Sequence, residues 1–135
     1  MGQEWKGSKA QRQVLHQMFD GRCGYCGGVM TRMQADHIKP VTRLTTDPWG
    51  KPLPAADRRF INPENNVVDN MMPACAQCNN SKGGYNLEEW RALIQRANEV
   101  LAREKPIFRA AVRLGTIKVD TNPIVFYFEK GGSND

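Results

Sequence analysis

The sequence predicts an α+β fold closed by a metal staple, and three observations carry that expectation. Four cysteines fall into two Cys-x-x-Cys pairs, Cys23 with Cys26 and Cys75 with Cys78. Apolar residues recur at helical spacing over 8–19 and again over 87–102. Short strand-like runs stand at 29–35 and near the C-terminus, bounded by turn residues.

The elements follow in order. Val14, Leu15, Met18 and Phe19 give the helix over 8–19 its apolar face, and Asp20-Gly21 ends it. Cys23 to Gly28 reads as a tight turn, whose glycines allow backbone N–H groups to point at thiolates. The strand over 29–35 leads into Asp36-His37-Ile38-Lys39-Pro40. Residues 42–60 read as an extended loop, with Thr-Thr-Asp, Pro-Trp-Gly and Lys-Pro-Leu-Pro, all poor helix material. A loop of that length inside a compact domain is more often functional than idle. Residues 62–74 lead to the second cysteine pair, and a helix begins around Asn79–Lys82 and stops at Gly83-Gly84.

The next helix spans about 87–102, with Asn86 as N-cap and Glu89 completing a capping box. Leu87, Trp90, Ile94, Ala97 and Leu101 form its stripe. Pro106 interrupts, a short helix follows over 107–114, and Gly115 ends it. Thr116–Val119 and Ile124–Phe128 predict a C-terminal β-hairpin across Asp120–Pro123. The Gly-rich tail, 130–135, is expected to be disordered. By length the chain is one domain over 1–135, with a core of about 20–84 and an extension over 85–129.

The net charge of +5 and a pI near 9.2 are unevenly distributed. Residues 1–67 hold ten Lys/Arg against six Asp/Glu, and residues 68–135 nine against eight. A basic front half fits a polyanionic partner or a solubilising surface, and charge alone does not choose between them. The start, Met1-Gly2-Gln3-Glu4-Trp5-Lys6, lacks the apolar run of a signal peptide, and Lys6 breaks the myristoylation pattern. No run is long enough for a membrane span. The expected setting is therefore cytoplasmic and reducing, where paired cysteines hold metal rather than form disulfides.

Two Cys-x-x-Cys turns complete a tetrahedron of thiolates, which is a closed, structural zinc arrangement. The pairs stand 48 residues apart, so something sizeable is inserted between them. A redox Cys-x-x-Cys needs only one pair and a βαβ context, and buried free cysteines rarely come as two matched pairs. Of the two histidines, His16 has no acidic or cysteine neighbour and reads as a surface or packing residue, whereas His37 follows Asp36 directly.

The order Cys-x-x-Cys, Asp36-His37-Ile38-Lys39-Pro40, then Asn70-Met71-Met72-Pro73-Ala74-Cys75-Ala76-Gln77-Cys78-Asn79-Asn80-Ser81-Lys82-Gly83 resembles the zinc-bearing HNH endonuclease family. The match covers roughly residues 20–84. The resemblance implies a ββα-metal core, a hairpin followed by a helix, with a structural four-cysteine zinc site. It implies His37 as general base, Asp36 and Asn79 as ligands of one catalytic metal ion, and Asn70 as the hydrogen-bonding clamp of the hairpin that sets the His37 ring. Asn65 and Asn66 are rivals for that last role, and spacing to Cys75 favours Asn70.

A neutral imidazole titrates near neutral pH and suits proton abstraction from water. One carboxylate and one amide suit hard Mg²⁺ or Mn²⁺. Strand alternation would send Asp36 and His37 to opposite faces, a conflict the family resolves by local distortion. Lys39, Arg43 and Lys82 are either phosphate contacts or solvated charges. The implied activity is hydrolysis of DNA phosphodiesters, in a phage-packaging or mobile-element setting. The competing expectations are a zinc-stapled DNA-binding module without catalysis, and an assembly protein docking through the Trp90 helix.

Overall fold

The structure is a computed structural model that describes Gly2–Lys130. The predicted tail lies outside the described residues except for Lys130. The described residues form two compact units: one runs to Asn86 and resumes at Phe126, and the other is Leu87–Val125.

In the first unit, helix α1 spans Lys9–Gln17 because Ser8 caps it, its hydroxyl oxygen accepting the Gln11 N–H. Its inward residue Leu15 joins Trp5 and Met71 in a small core, against which Met33, Ala35 and Val68 pack. Asp20 and Gly21, both at positive φ, turn the chain into the first cysteine turn.

Strand β1 is Gln34–His37, later than the 29–35 expected from the sequence. The residues at 29–33 supply only an isolated bridge from Arg22 to Val29. β1 pairs antiparallel with a distant strand, Met71–Ala74, in the register Gln34 to Ala74 and His37 to Met71. Between them the expected loop is a narrow ribbon. Strands β2 (Arg43–Leu44) and β3 (Arg59–Phe60) pair at its root, and a 3₁₀ turn occupies Ala55–Asp57. Numbered in chain order, Met71–Ala74 is β4, and all four of its residues are buried.

Helix α2, Ala76–Lys82, leaves directly from the second cysteine turn: Cys75 is its N-cap and accepts the Cys78 N–H on sulfur. Gly83, at φ 52, ends it where the sequence places the stop. An antiparallel pair followed by a helix packed on its first strand is thus present as β1, β4 and α2. Tyr25 packs edge-on against Phe126 and Phe128, which return beside the first cysteine turn.

The second unit holds α3 (Leu87–Gln95), α4 (Ala97–Glu104) and α5 (Pro106–Arg113). The single helix expected over 87–102 is broken at Arg96, although Arg96 N–H still reaches Ala92 O and Val100 N–H reaches Arg96 O. The break is therefore local to one residue. Pro106 starts α5, its missing N–H costing nothing in a first turn.

The predicted C-terminal β-hairpin is not formed, and this expectation is corrected. The described residues over 116–126 contain no strand, and Tyr127–Lys130 is a short helix, α6. The backbone groups that a hairpin needs are bound elsewhere. Ile124 O accepts from Arg91, Asn122 O accepts from the Gln95 amide, and Ile124 N–H donates back to Gln95 Oε1. Tyr127 N–H and Phe128 N–H donate to the carbonyls of Tyr25 and Gly24. β-propensity in the two runs gives way to these side-chain and turn partners.

Candidate functional site

The four cysteine sulfurs all lie within 4.8 Å of one another. A tetrahedral zinc with bonds of about 2.3 Å requires sulfurs about 3.8 Å apart, and Cys26 and Cys75 stand at 4.0 Å. The cluster therefore fits a zinc-like ion. Backbone N–H groups are already aimed at sulfur, Gly28 at Cys26 and Cys78 at Cys75, each at 3.4 Å. The two turns are held together by Gly24 N–H donating to Pro73 O at 2.8 Å. Burial and the neighbouring thiols push the Cys78 thiol far up, and burial raises Cys26 as well. Burial opposes ionisation of Cys23 too, but N–H groups of Cys26, Cys75 and Tyr25 outweigh it and lower that thiol. Without a cation the cluster accommodates one thiolate and resists the next, and a divalent ion removes that conflict.

Directly beside the cluster lies the seam between β1 and α2. Alternation along β1 puts Gln34 and Asp36 on the α2 side and Ala35 and His37 on the other. Asp36 is 7% exposed, and its Oδ2 receives two donors, the Tyr25 hydroxyl at 2.6 Å and Lys82 Nζ at 3.2 Å. Lys82 Nζ also donates to the His37 carbonyl at 2.9 Å. One turn earlier on α2, the Asn79 amide donates to Gln34 Oε1. Burial and the Asp36 carboxylate raise the Tyr25 hydroxyl far above its ordinary range, so it stays a donor.

Lys82 is neither at a phosphate-facing surface nor a solvated charge. It is fully buried, and the correction has a simple cause: a buried carboxylate one strand away needs a cation.

The His37 imidazole is on the opposite side of β1. Its Nε2 lies 2.9 Å from Asn66 Oδ1, and its ring centroid is 6.4 Å from that of Phe60. The Asn66 amide is fixed because its Nδ2 donates to Trp5 O. Its oxygen, which only accepts, therefore faces the ring, so Nε2 carries the hydrogen and Nδ1 keeps the lone pair.

Asn70 grips the chain just after β1. Its oxygen accepts Lys39 N–H at 2.9 Å, and its amide donates to Lys39 O at 2.8 Å and Asn65 O at 2.7 Å. The ring itself is held by Asn66 and not by Asn70. No hydrogen bond among the described residues joins the imidazole to Asp36 or Asn79. The structure thus brings Asp36 and Asn79 to one seam with Lys82, and His37 to the reverse face of the same strand.

Lys39 and Arg43 are exposed, and the Arg43 guanidinium stacks 4.8 Å from the Phe60 ring centroid. Tyr25, Gln34 and Phe60 are site residues that the sequence did not single out, while Asn66, a rival for the clamp, is the one that meets the ring. Gln34 carries a usable signal, since it stands two positions before Asp36 on one strand face.

Fold and site together define a small α+β protein with a four-cysteine, zinc-type centre set against a ββα unit. Comparison with protein-family models, curated proteins and solved structures finds no match. No helix among the described residues is long and apolar enough to cross a membrane.

Proposed function

We propose that the chain is an HNH-type endonuclease that hydrolyses DNA phosphodiesters with His37 as general base. The observation that carries this reading is the held imidazole. In the neutral ring Asn66 fixes Nε2 as the protonated nitrogen, which leaves the Nδ1 lone pair to accept a proton. The arrangement of β1, β4 and α2 around the cysteine turns supports it, as does the order of motifs that resembles the family. Asn70 adds rigidity where the chain leaves β1.

The donor set at the seam suits a hard cation. The hydrogen bonds of Asp36 fall on Oδ2 and that of Asn79 uses its nitrogen, so Asp36 Oδ1 and Asn79 Oδ1 are the oxygens that would hold Mg²⁺ or Mn²⁺. In the described structure the seam and the imidazole lie on opposite faces of β1, so such an ion would stabilise the phosphate and the leaving 3′ oxygen served by His37 only where β1 distorts at Asp36–His37, as the resemblance implies. Lys82 stays beside the same carboxylate and neutralises part of its charge.

The Lys82–Asp36 pair also favours a second reading, a zinc-stapled DNA-binding module without catalysis, because the carboxylate is balanced from within the fold. Incubating supercoiled plasmid with the zinc-loaded protein and added Mg²⁺ or Mn²⁺ separates the two. Cutting that needs the added ion and leaves 5′ phosphate and 3′ hydroxyl ends is expected of the nuclease. DNA binding without any cutting across both metals would leave only the module.

A further inference from the structure

We propose that residues 42–60 form an arm whose tip, Trp49, stacks on a DNA base while its root lies beside His37. The inference rests on the DNA-acting reading above and adds a contact to it.

The ribbon is built to hold its tip still. Beyond the β2–β3 pair, Leu53 N–H donates to Thr45 O and Asp47 N–H to Lys51 O, both at 2.8 Å, and Thr46 bridges Pro52. At the turn, Asp47 Oδ1 accepts the N–H groups of Trp49 and Lys51, each at 2.9 Å. Gly50 closes the turn at φ 87, a conformation costly for other residues. Yet the indole carried on this fixed backbone is 84% exposed, while Trp5 and Trp90 are 9% and 4% exposed. An ordered backbone presenting an unburied indole fits a flat partner that arrives from outside, and every nucleobase offers such a face.

Charge selects the partner. The arm carries Arg43, Lys51, Arg58 and Arg59 against Asp47 and Asp57, and Asp47 is turned inward onto the tip amides. A basic surface with one projecting aromatic suits a polyanion that carries bases rather than an apolar peptide. Location ties the arm to the site. Arg43 stacks on Phe60, and Phe60 meets the His37 ring edge-on, so root and imidazole share one surface. Trp49 lies five residue steps beyond Leu44. At about 3.3 Å each they reach about 16 Å, close to five nucleotide steps of about 3.4 Å.

The test uses the full chain, zinc-loaded, in a His37→Ala background with no other divalent ion. A duplex oligonucleotide and its single strand are titrated while tryptophan emission is followed. Quenching of the exposed emission is expected on saturation, with the duplex if the indole enters a base step and with the single strand alone if it needs an unpaired base. Trp49→Ala is expected to weaken binding about tenfold or more, and Trp49→Phe much less. Trp49→Ala should leave the salt dependence of binding unchanged, whereas Arg43→Ala should make it shallower. Because the indole is exposed, the melting temperature of Trp49→Ala serves as a folding control.

Wild-type affinity in Trp49→Ala, unchanged emission at saturation, or no DNA binding at all would overturn the proposal. Quenching by DNA in a wild-type chain that cuts nothing keeps the arm and removes the nuclease. Cutting without quenching does the reverse.

Discussion

Lys82 is the residue whose placement says most about the site. Its ammonium joins the Asp36 carboxylate and the His37 carbonyl across the β1–α2 seam, with no exposure of its own. Removing one partner of such a buried pair leaves an uncompensated charge and costs about 3–5 kcal/mol. Lys82→Met is therefore expected to lower the unfolding free energy extrapolated from urea melts by about that amount, and a variant as stable as wild type would contradict the pair. Asp36→Ala disturbs fold and ligand together, so Asp36→Asn, which keeps an acceptor for Tyr25 and Lys82, is the better probe of metal binding.

Asn66 governs the imidazole in the same way. Asn66→Ala should slow cutting about tenfold and release the ring tautomer, whereas Asn66→Asp keeps an acceptor and holds it. Nitrogen NMR reads this directly, since the chain has only two histidines. A His37 ring that keeps its hydrogen on Nε2 in Asn66→Ala would rule out this positioning role. Nothing local in the sequence announces Lys82 with Asp36 or His37 with Asn66. Both pairs join residues far apart in the chain, and only the folded register of β1 with β4 and α2 brings them together.

At the scale of elements, what the sequence made legible is what local chemistry decides. Gly83 stops α2, and Pro106 interrupts the helical run before α5. The two cysteine turns are legible for the same reason, since spacing fixes their geometry. β1 is displaced toward Asp36 and His37 because its partner β4, and not its own propensity, sets where pairing begins. The hairpin at 116–128 was not formed for the same kind of reason. Arg91 and Gln95 bind its carbonyls and an amide, and no sequence pattern foretells that competition.

The cysteine turns are also where the fold tolerates least. A side chain on Gly24 would collide with Met72 Sδ, between the first turn and β4. Gly24→Ala is thus expected to lower both melting temperature and zinc content. A normal zinc complement and an unchanged melting curve would show that this contact yields without cost.

For the whole molecule, the metal sets the direction in which pH acts. In the metal-free chain the Cys78 thiol and the Tyr25 hydroxyl are raised from their ordinary values of 9.0 and 10.0. A raised group stabilises the fold below its unfolded value, and that contribution is lost as pH climbs past it. Metal-free protein should therefore lose stability above about pH 9. The metal-loaded protein needs thiolates, so its stability should fall instead toward acid as protons displace the ion. Melting curves with and without a chelator read both slopes, and identical slopes would mean that the four cysteines hold no ion. Cys75→Ser should lose the ion and the acid-side slope together.

The most direct measurement is the rate at which supercoiled plasmid is cut by wild type and by His37→Ala, at equal zinc content and with added Mg²⁺. A general base contributes about 10²–10⁴-fold, so the variant is expected to be slower by at least about 100-fold. Equal rates from two folded, zinc-loaded proteins would remove His37 as the base, and with it the proposed chemistry.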